Sequence, residues 1–418
     1  MAIVNFFLQN HKICIFKRNH PKTEVILFWS ACLLFVIGFS NLFSLQGWLV
    51  TAGLLLLLFA TVFRKQFSLS WGFWLLLIIG VTYNLATFLF DEWSYRYFVY
   101  FLAGPAIFYL FIKNSKQNQG ILNEKYLGFL LLSCGLGFGL SSLFICIESI
   151  KYEGLALSQG QPLFSPWNNG PMSRTGISLI FLLPCSMALV PFTLIRDKKQ
   201  RYLIPSSLLM LLLCTLASSS IGNRAFILAV AFLAILVLLS FVFTQKSKVL
   251  KRIFLSIVCL TFICIVLLLL GIVPPFLRDI PVFKRFFSGG STEARLRLYK
   301  DFFSHFYMYP FGGLSSSITE RYVHNAILDM YTFGGLIPFA GCLIILYLFV
   351  VQLSPKAMLR KTSFGHTVLF WTVCGILSIG LFEPVFQANP FLFVFFGSSV
   401  GVLDENRTAK LWTRINIR

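Results

Sequence analysis

Apolar runs long enough to cross roughly 30 Å of hydrocarbon recur along the whole chain, near residues 24–41, 45–63, 67–90, 97–112, 126–147, 176–195, 203–219, 225–243, 253–272, 333–352, 367–386 and 388–403. Nothing constrains the fold more, because a segment in lipid must satisfy its own backbone N–H and C=O groups, and runs of this length do so as helices. The expected fold class is an all-α polytopic membrane protein with about twelve transmembrane helices. Composition agrees: 57% of the 418 residues are hydrophobic, 12% are charged and the mean hydropathy is +0.80. A soluble core under a hydrated charged surface is excluded. The runs divide one membrane domain, 1–418, into helices 1–9 (1–272), one large loop (273–325) and helices 10–12 (326–418).

The placement of charge orients that plan. With a cytoplasmic amino terminus and twelve crossings, 24 of the 35 Lys and Arg residues fall on the inside and 11 on the outside. Basic residues in short connectors favour the cytoplasm, so both termini are expected there. The net charge of +20 is then mainly a topology signal that also attracts anionic membrane lipids. It calls for no nucleic-acid partner, since no basic domain interleaved with aromatics is present. The basic amino-terminal segment ahead of residues 25–39 lacks a small-x-small cleavage site and reads as an uncleaved signal anchor.

Cysteine and histidine point away from metal chemistry. The ten cysteines fall almost entirely within apolar runs and show no CxxC or Cys/His ligand spacing, which suits small apolar helix residues. The five histidines are scattered, and no carboxylate pair has the spacing of a metal or glycosidase site. No metal and no cofactor are expected. Internal repeats are absent, which weakens transporter plans built from duplicated halves.

Two outside segments break the apolar pattern. The shorter, about 148–175, holds Pro162, Pro166, Trp167, Asn168, Asn169, Gly170 and Pro171 and ends at Arg174. The longer opens with Pro274 and Pro275, which stop the preceding helix, and breaks again at Gly289 and Gly290. Thr292 then caps a helix in which Leu296, Tyr299, Phe303 and Phe306 recur at helical spacing, a stripe expected on the membrane surface or against the bundle. Arg295 and Arg297 lie near its start, and Pro310 to Gly313 end it.

This island of charge is the candidate site, because ionisable groups held beside a bilayer are rare and usually functional. Arginines at a helix amino terminus favour phosphate or pyrophosphate; ordinary snorkelling charges are the simpler alternative. Arg224 ends a short Ser-rich outside turn and is placed on the same face. His324, followed by Asn325, lies at the end of the long loop, where a neutral imidazole can take a proton from a hydroxyl; an interfacial structural histidine is the alternative.

Arg224, the run Ala294-Arg295-Leu296-Arg297-Leu298-Tyr299 leading to Tyr309-Pro310-Phe311-Gly312, and His324-Asn325 with Gly335 beyond them resemble the O-antigen ligase and polymerase superfamily, the WaaL and Wzy type of bacterial membrane glycosyltransferase. The resemblance is specific over 224–335, and Pro338 departs from the Gly, Thr or Tyr often found three residues after the motif glycine. It implies a GT-C-like fold in the bacterial inner membrane with an extracytoplasmic active site. It further implies metal-independent, inverting transfer from an undecaprenyl-pyrophosphate-linked glycan to the lipid A core or to a growing glycan. His324 matches the general base and Arg224 and Arg295 the catalytic, pyrophosphate-binding arginines, with Arg297, Arg174 and Arg321 as further donor-binding candidates and Asn325 and Gly335 as motif support. An O-antigen ligase is favoured over a repeat-unit polymerase, which shares the site; a flippase or transporter would do no chemistry.

Overall fold

The computed structural model describes residues 11–13, 21–62, 67–91, 93–116, 124–153, 163–164, 171–172, 174–193, 204–221, 224–244, 247–269, 291–318, 321–352, 364–381 and 383–402. Two short ribbons aside, these residues are helical or in turns. Each of the twelve apolar runs contains helix: α1 (Pro21–Phe39), α2 (Gln46–Val62), α3 (Trp71–Phe90), α4 (Gly104–Lys116), α5 (Glu124–Glu153), α6 (Arg174–Met187), α7 (Ile204–Ile221), α8 (Arg224–Thr244) and α9 (Lys248–Leu269) in the first part of the chain. After the loop helices α10 (Ser291–His305) and α11 (Ala326–Gly334) come α12 (Leu336–Gln352), α13 (Phe364–Gly380) and α14 (Phe391–Ser398). Among the described residues, Trp71–Phe90, Tyr95–Lys113 and Lys125–Glu148 are helices long and apolar enough to cross a membrane, and seven shorter apolar helices accompany them.

The ribbons are small. His11–Ile13 pairs antiparallel with Phe67–Leu69, so the α1–α2 hairpin returns the chain to the end of the bundle where it began. Leu163–Phe164 pairs with Pro171–Met172 inside the shorter polar segment.

Apolar surface is distributed as a membrane requires. Phe88, Leu212, Leu260, Phe262 and Val350 are more than half exposed, a pattern suited to lipid rather than water. α14 is the opposite case: Phe391, Leu392, Phe393, Val394, Phe395 and Phe396 are all essentially buried, as befits a helix apolar on every side. Its rings pack on those of the surrounding helices, Phe391 at 4.2 Å from Phe39 and Phe393 at 4.9 Å from Phe101 between centroids. The run 97–112 enters through a π-helical stretch, Phe98–Ala103, rather than as uniform α-helix. The run 367–386 does not continue as one helix. α13 stops at Gly380, and a single turn, Val385–Ala388, follows. Pro384 accounts for the stop, since it has no N–H and disfavours α geometry at the residue before it, Glu383.

The relative directions of three helices bear on the site. Gly135 meets Met187 and Gly139 meets Pro184, so α5 and α6 run antiparallel; Gly128 meets Phe364, and Gly375 meets Ser186 and Leu182. α13 therefore runs alongside α5 and against α6. From these contacts, eight positions separate Gly375 on α13 from Glu383 just beyond that helix, and ten of α6 lead from Pro184 back to Arg174, about 12 and 15 Å if all were at helical rise. The start of α6 and the end of α13 thus share one end of the bundle.

Candidate functional site

The loop helix α10 forms where expected, but its buried face differs from the expected stripe. Leu298 and Phe302 are buried, with Tyr299 and Phe306 partly so, whereas Leu296 and Phe303 are exposed. The helix is rotated because its real partner is α11: Phe306 stacks on Tyr331 at 4.1 Å, Phe302 lies edge-on to it at 5.7 Å, and the Tyr331 hydroxyl donates to the Phe306 carbonyl. Leu314, Ile318 and Val323 complete this small cluster.

The glycines at the far end of the loop lock it to the bundle. Gly335 has φ +81° and ends α11, and a Cβ there would meet the Pro310 carbonyl oxygen at 2.5 Å. That carbonyl accepts from Leu336 N–H at 2.8 Å. A Cβ on Gly312, at φ +101°, would meet the Phe333 carbonyl oxygen at 2.7 Å. Only glycine fits such crowded left-handed positions without strain. Pro338 falls in the first turn of α12, where its missing N–H breaks no helical bond, so the departure from the motif leaves the helix intact.

His324 is placed by what flanks it. Asp329, fully buried on α11, accepts from Val323 N–H at 2.7 Å and from Asn325 N–H at 3.1 Å. Asn325 caps α11, its side-chain oxygen accepting from Ile327 and Leu328 N–H at 3.1 and 3.2 Å, and its amide donates to the Leu381 carbonyl at 3.4 Å. Between these ties His324 is held at φ +60°, a conformation that a residue with a side chain adopts only when its surroundings over-determine it.

Glu383, in the break after α13, is where the site converges. His324 Nδ1 lies 3.5 Å from its Oε2, and an Arg295 guanidinium nitrogen lies 3.4 Å from its Oε1. The carboxylate is buried, while the arginine and histidine are each about one-third exposed. The Glu383 contact raises the His324 imidazole above its usual range; burial and the Arg295 charge oppose that, and Asp329 adds to it. Burial pushes the Asp329 carboxyl up to about 7, against the two backbone N–H bonds that favour its ionised form. The site therefore couples a partly exposed cation, a buried carboxylate and an imidazole of enhanced basicity.

The other expected residues separate. Arg297 is exposed, and two positions along a helix turn it by about 200° from Arg295. Arg321 bonds Asp91 at 2.9 Å and lies 5.8 Å from the centre of the Phe333 ring, so it fastens the loop to the carboxyl end of α3 and offsets an acid placed unfavourably there. Arg174 and Arg224 are the first residues of α6 and α8, both of which pack on α13; their side chains lie outside the described residues, as do Pro274, Pro275, Gly289 and Gly290.

Glu383 and Asp329 are the residues that motif reading missed. Glu383 is the only charged residue in the run 367–386, and an isolated acid inside an apolar span is itself a site signal. Asp329 gave only a weak cue, four residues after a capping Asn. No protein-family model matches this chain, and no curated protein matches it.

Proposed function

We propose that this protein is an inverting, metal-independent glycosyltransferase of the bacterial inner membrane. In this reading the chain crosses the bilayer twelve times in a GT-C-like arrangement with both termini cytoplasmic, and α10, α11 and Glu383 lie on the extracytoplasmic face. It moves a glycan from undecaprenyl pyrophosphate to a sugar hydroxyl on the lipid A core, as an O-antigen ligase does; repeat-unit polymerisation is the alternative. The observation that carries the reading is the meeting of Arg295 and His324, 29 positions apart in sequence, on one buried carboxylate. The ribbon joining 11–13 to 67–69 supports an even number of crossings between those segments.

The chemistry follows from the groups. His324 takes the acceptor proton as the hydroxyl oxygen bonds to the anomeric carbon, and the bond from that carbon to the pyrophosphate oxygen breaks with its electron pair leaving on the phosphate. Arg295, with Arg224 and Arg174 from the neighbouring helix starts, stabilises that charge as it develops. No nucleotide loop is required, because the lipid-linked donor is already activated.

Transfer from purified lipid-linked glycan by the detergent-solubilised protein tests this. Arg295→Ala should lower the rate on the order of 10²–10³, and Arg295→Lys should recover only part, since an ammonium lacks the bidentate fork. Wild-type rates in Arg295→Ala would remove the pyrophosphate site. A deletion strain separates the two transfers: a core bare of polymer, with lipid-linked polymer accumulating, marks a ligase, and a core carrying one repeat marks a polymerase.

A further inference from the structure

Glu383 has a rigid seat. Its N–H donates to the Ile379 carbonyl at 3.0 Å and its carbonyl accepts from Val385 N–H at 2.8 Å, Pro384 fixes the next backbone angle, and the side chain is buried. From that seat its two oxygens face two different residues, Nδ1 of His324 at 3.5 Å and the guanidinium of Arg295 at 3.4 Å. We propose that Glu383 is a positioning residue with two tasks: one oxygen orients the His324 ring, and the other holds Arg295 in reserve until an anionic phosphate ligand draws it away. This rests on the transfer reading above and adds the regulation of its base.

An ionised carboxylate only accepts hydrogen bonds, so its contact assigns the proton of neutral His324 to Nδ1. Nε2 is left with the lone pair that an acceptor hydroxyl needs. At 3.5 Å the contact is an ion-pair approach and not yet a formed hydrogen bond, and such contacts commonly tighten once the substrates are bound. Glu383 does not take the proton during transfer; it stabilises the imidazolium that forms, and the proton stays on the ring.

The Arg295 contact is single, long and partly exposed. A pyrophosphate offers several oxygens and a larger charge and can engage the guanidinium fork in a bidentate manner, so it outcompetes one carboxylate oxygen. Once Arg295 turns to phosphate, Glu383 loses its cationic partner and acts with full charge on His324. The base becomes stronger when the donor is in place. Among the described residues, Asp329 from α11 also acts on this ring electrostatically, whereas Arg321 and Asp91 are paired with each other.

The test follows the imidazole directly. Full-length protein labelled with ¹⁵N-histidine is titrated by NMR, with the His324 signal identified by its loss in His324→Gln. Glu383→Gln, nearly isosteric, should lower the His324 midpoint by about 1 pH unit or more, the effect of removing an adjacent charge. Glu383→Asp, which draws the charge back by one methylene, should fall between it and wild type. Inorganic pyrophosphate should raise the wild-type midpoint, and Arg295→Ala should start higher and no longer respond. Should Glu383→Gln not insert, an intermediate midpoint in Glu383→Asp supports the proposal in its place. An unchanged midpoint in whichever Glu383 variant inserts overturns the positioning task, and a pyrophosphate response that persists in Arg295→Ala overturns the reserve. A chain that titrates as described but transfers no glycan would lose the transfer reading and keep the Glu383 assignment.

Discussion

The helix α14 and the seam around Glu383 are neighbours in the fold and opposites in construction. α14 contains no ionisable residue and buries six consecutive apolar side chains among aromatic rings from α1 and the π-helical entry to α4. Its stability is a sum of many weak contacts, none decisive alone. The seam rests on a handful of directional contacts: Arg295 and His324 to Glu383, two N–H groups to Asp329, and one cap from Asn325. Mutating the first region should alter how much protein survives; mutating the second should alter what the surviving protein does.

Three substitutions would break or sharpen that contrast, beginning with the core. Phe393→Ala removes a fully buried ring and should lower stability by about 3–5 kcal/mol, seen as a lower midpoint in thermal unfolding in detergent, while correctly inserted protein retains its transfer rate. A selective loss of rate would mean that the core also shapes the site. Asn325→Ala should cost about 1 kcal/mol for the lost cap yet lower transfer more than stability, because the same side chain holds the loop to Leu381 beside His324. Equal losses would reduce Asn325 to a cap. Arg321→Ala should do least, about 0–1 kcal/mol in stability for a partly exposed pair, with transfer changed less than tenfold. A loss as large as that from Arg295→Ala would return Arg321 to the donor site.

The same division explains what was legible in sequence. The apolar runs disclosed helices because length and hydropathy are local properties, and α10 was recognisable from its spacing. Its rotation was not, since Phe302 is buried by residues beyond its own helix, Tyr331, Leu314, Ile318 and Val323. The break after Gly380 was readable in Pro384 but hidden by the hydropathy around it. Local spacing gave no hint that Glu383 meets Arg295, a pairing across 88 positions. Arg321 stood beside His324 in sequence and went instead to Asp91, 230 positions away. Proximity along the chain suggested candidates, and only tertiary packing sorted them.

The pH dependence of transfer tests the central claim, that His324 held by Glu383 is the base. The Glu383 contact raises the His324 pKa. Stability from the charged pair is therefore present below the unfolded value of about 6.5 and lost as pH rises through the higher folded value. Catalysis has the opposite sign, since only the neutral ring accepts a proton. Transfer from purified lipid-linked glycan should thus fall as pH drops through a midpoint above about 6.5, and His324→Ala should lose on the order of 10²–10⁴ in rate together with that acid limb. A His324→Ala protein that transfers at the wild-type rate with the same pH profile would contradict the account.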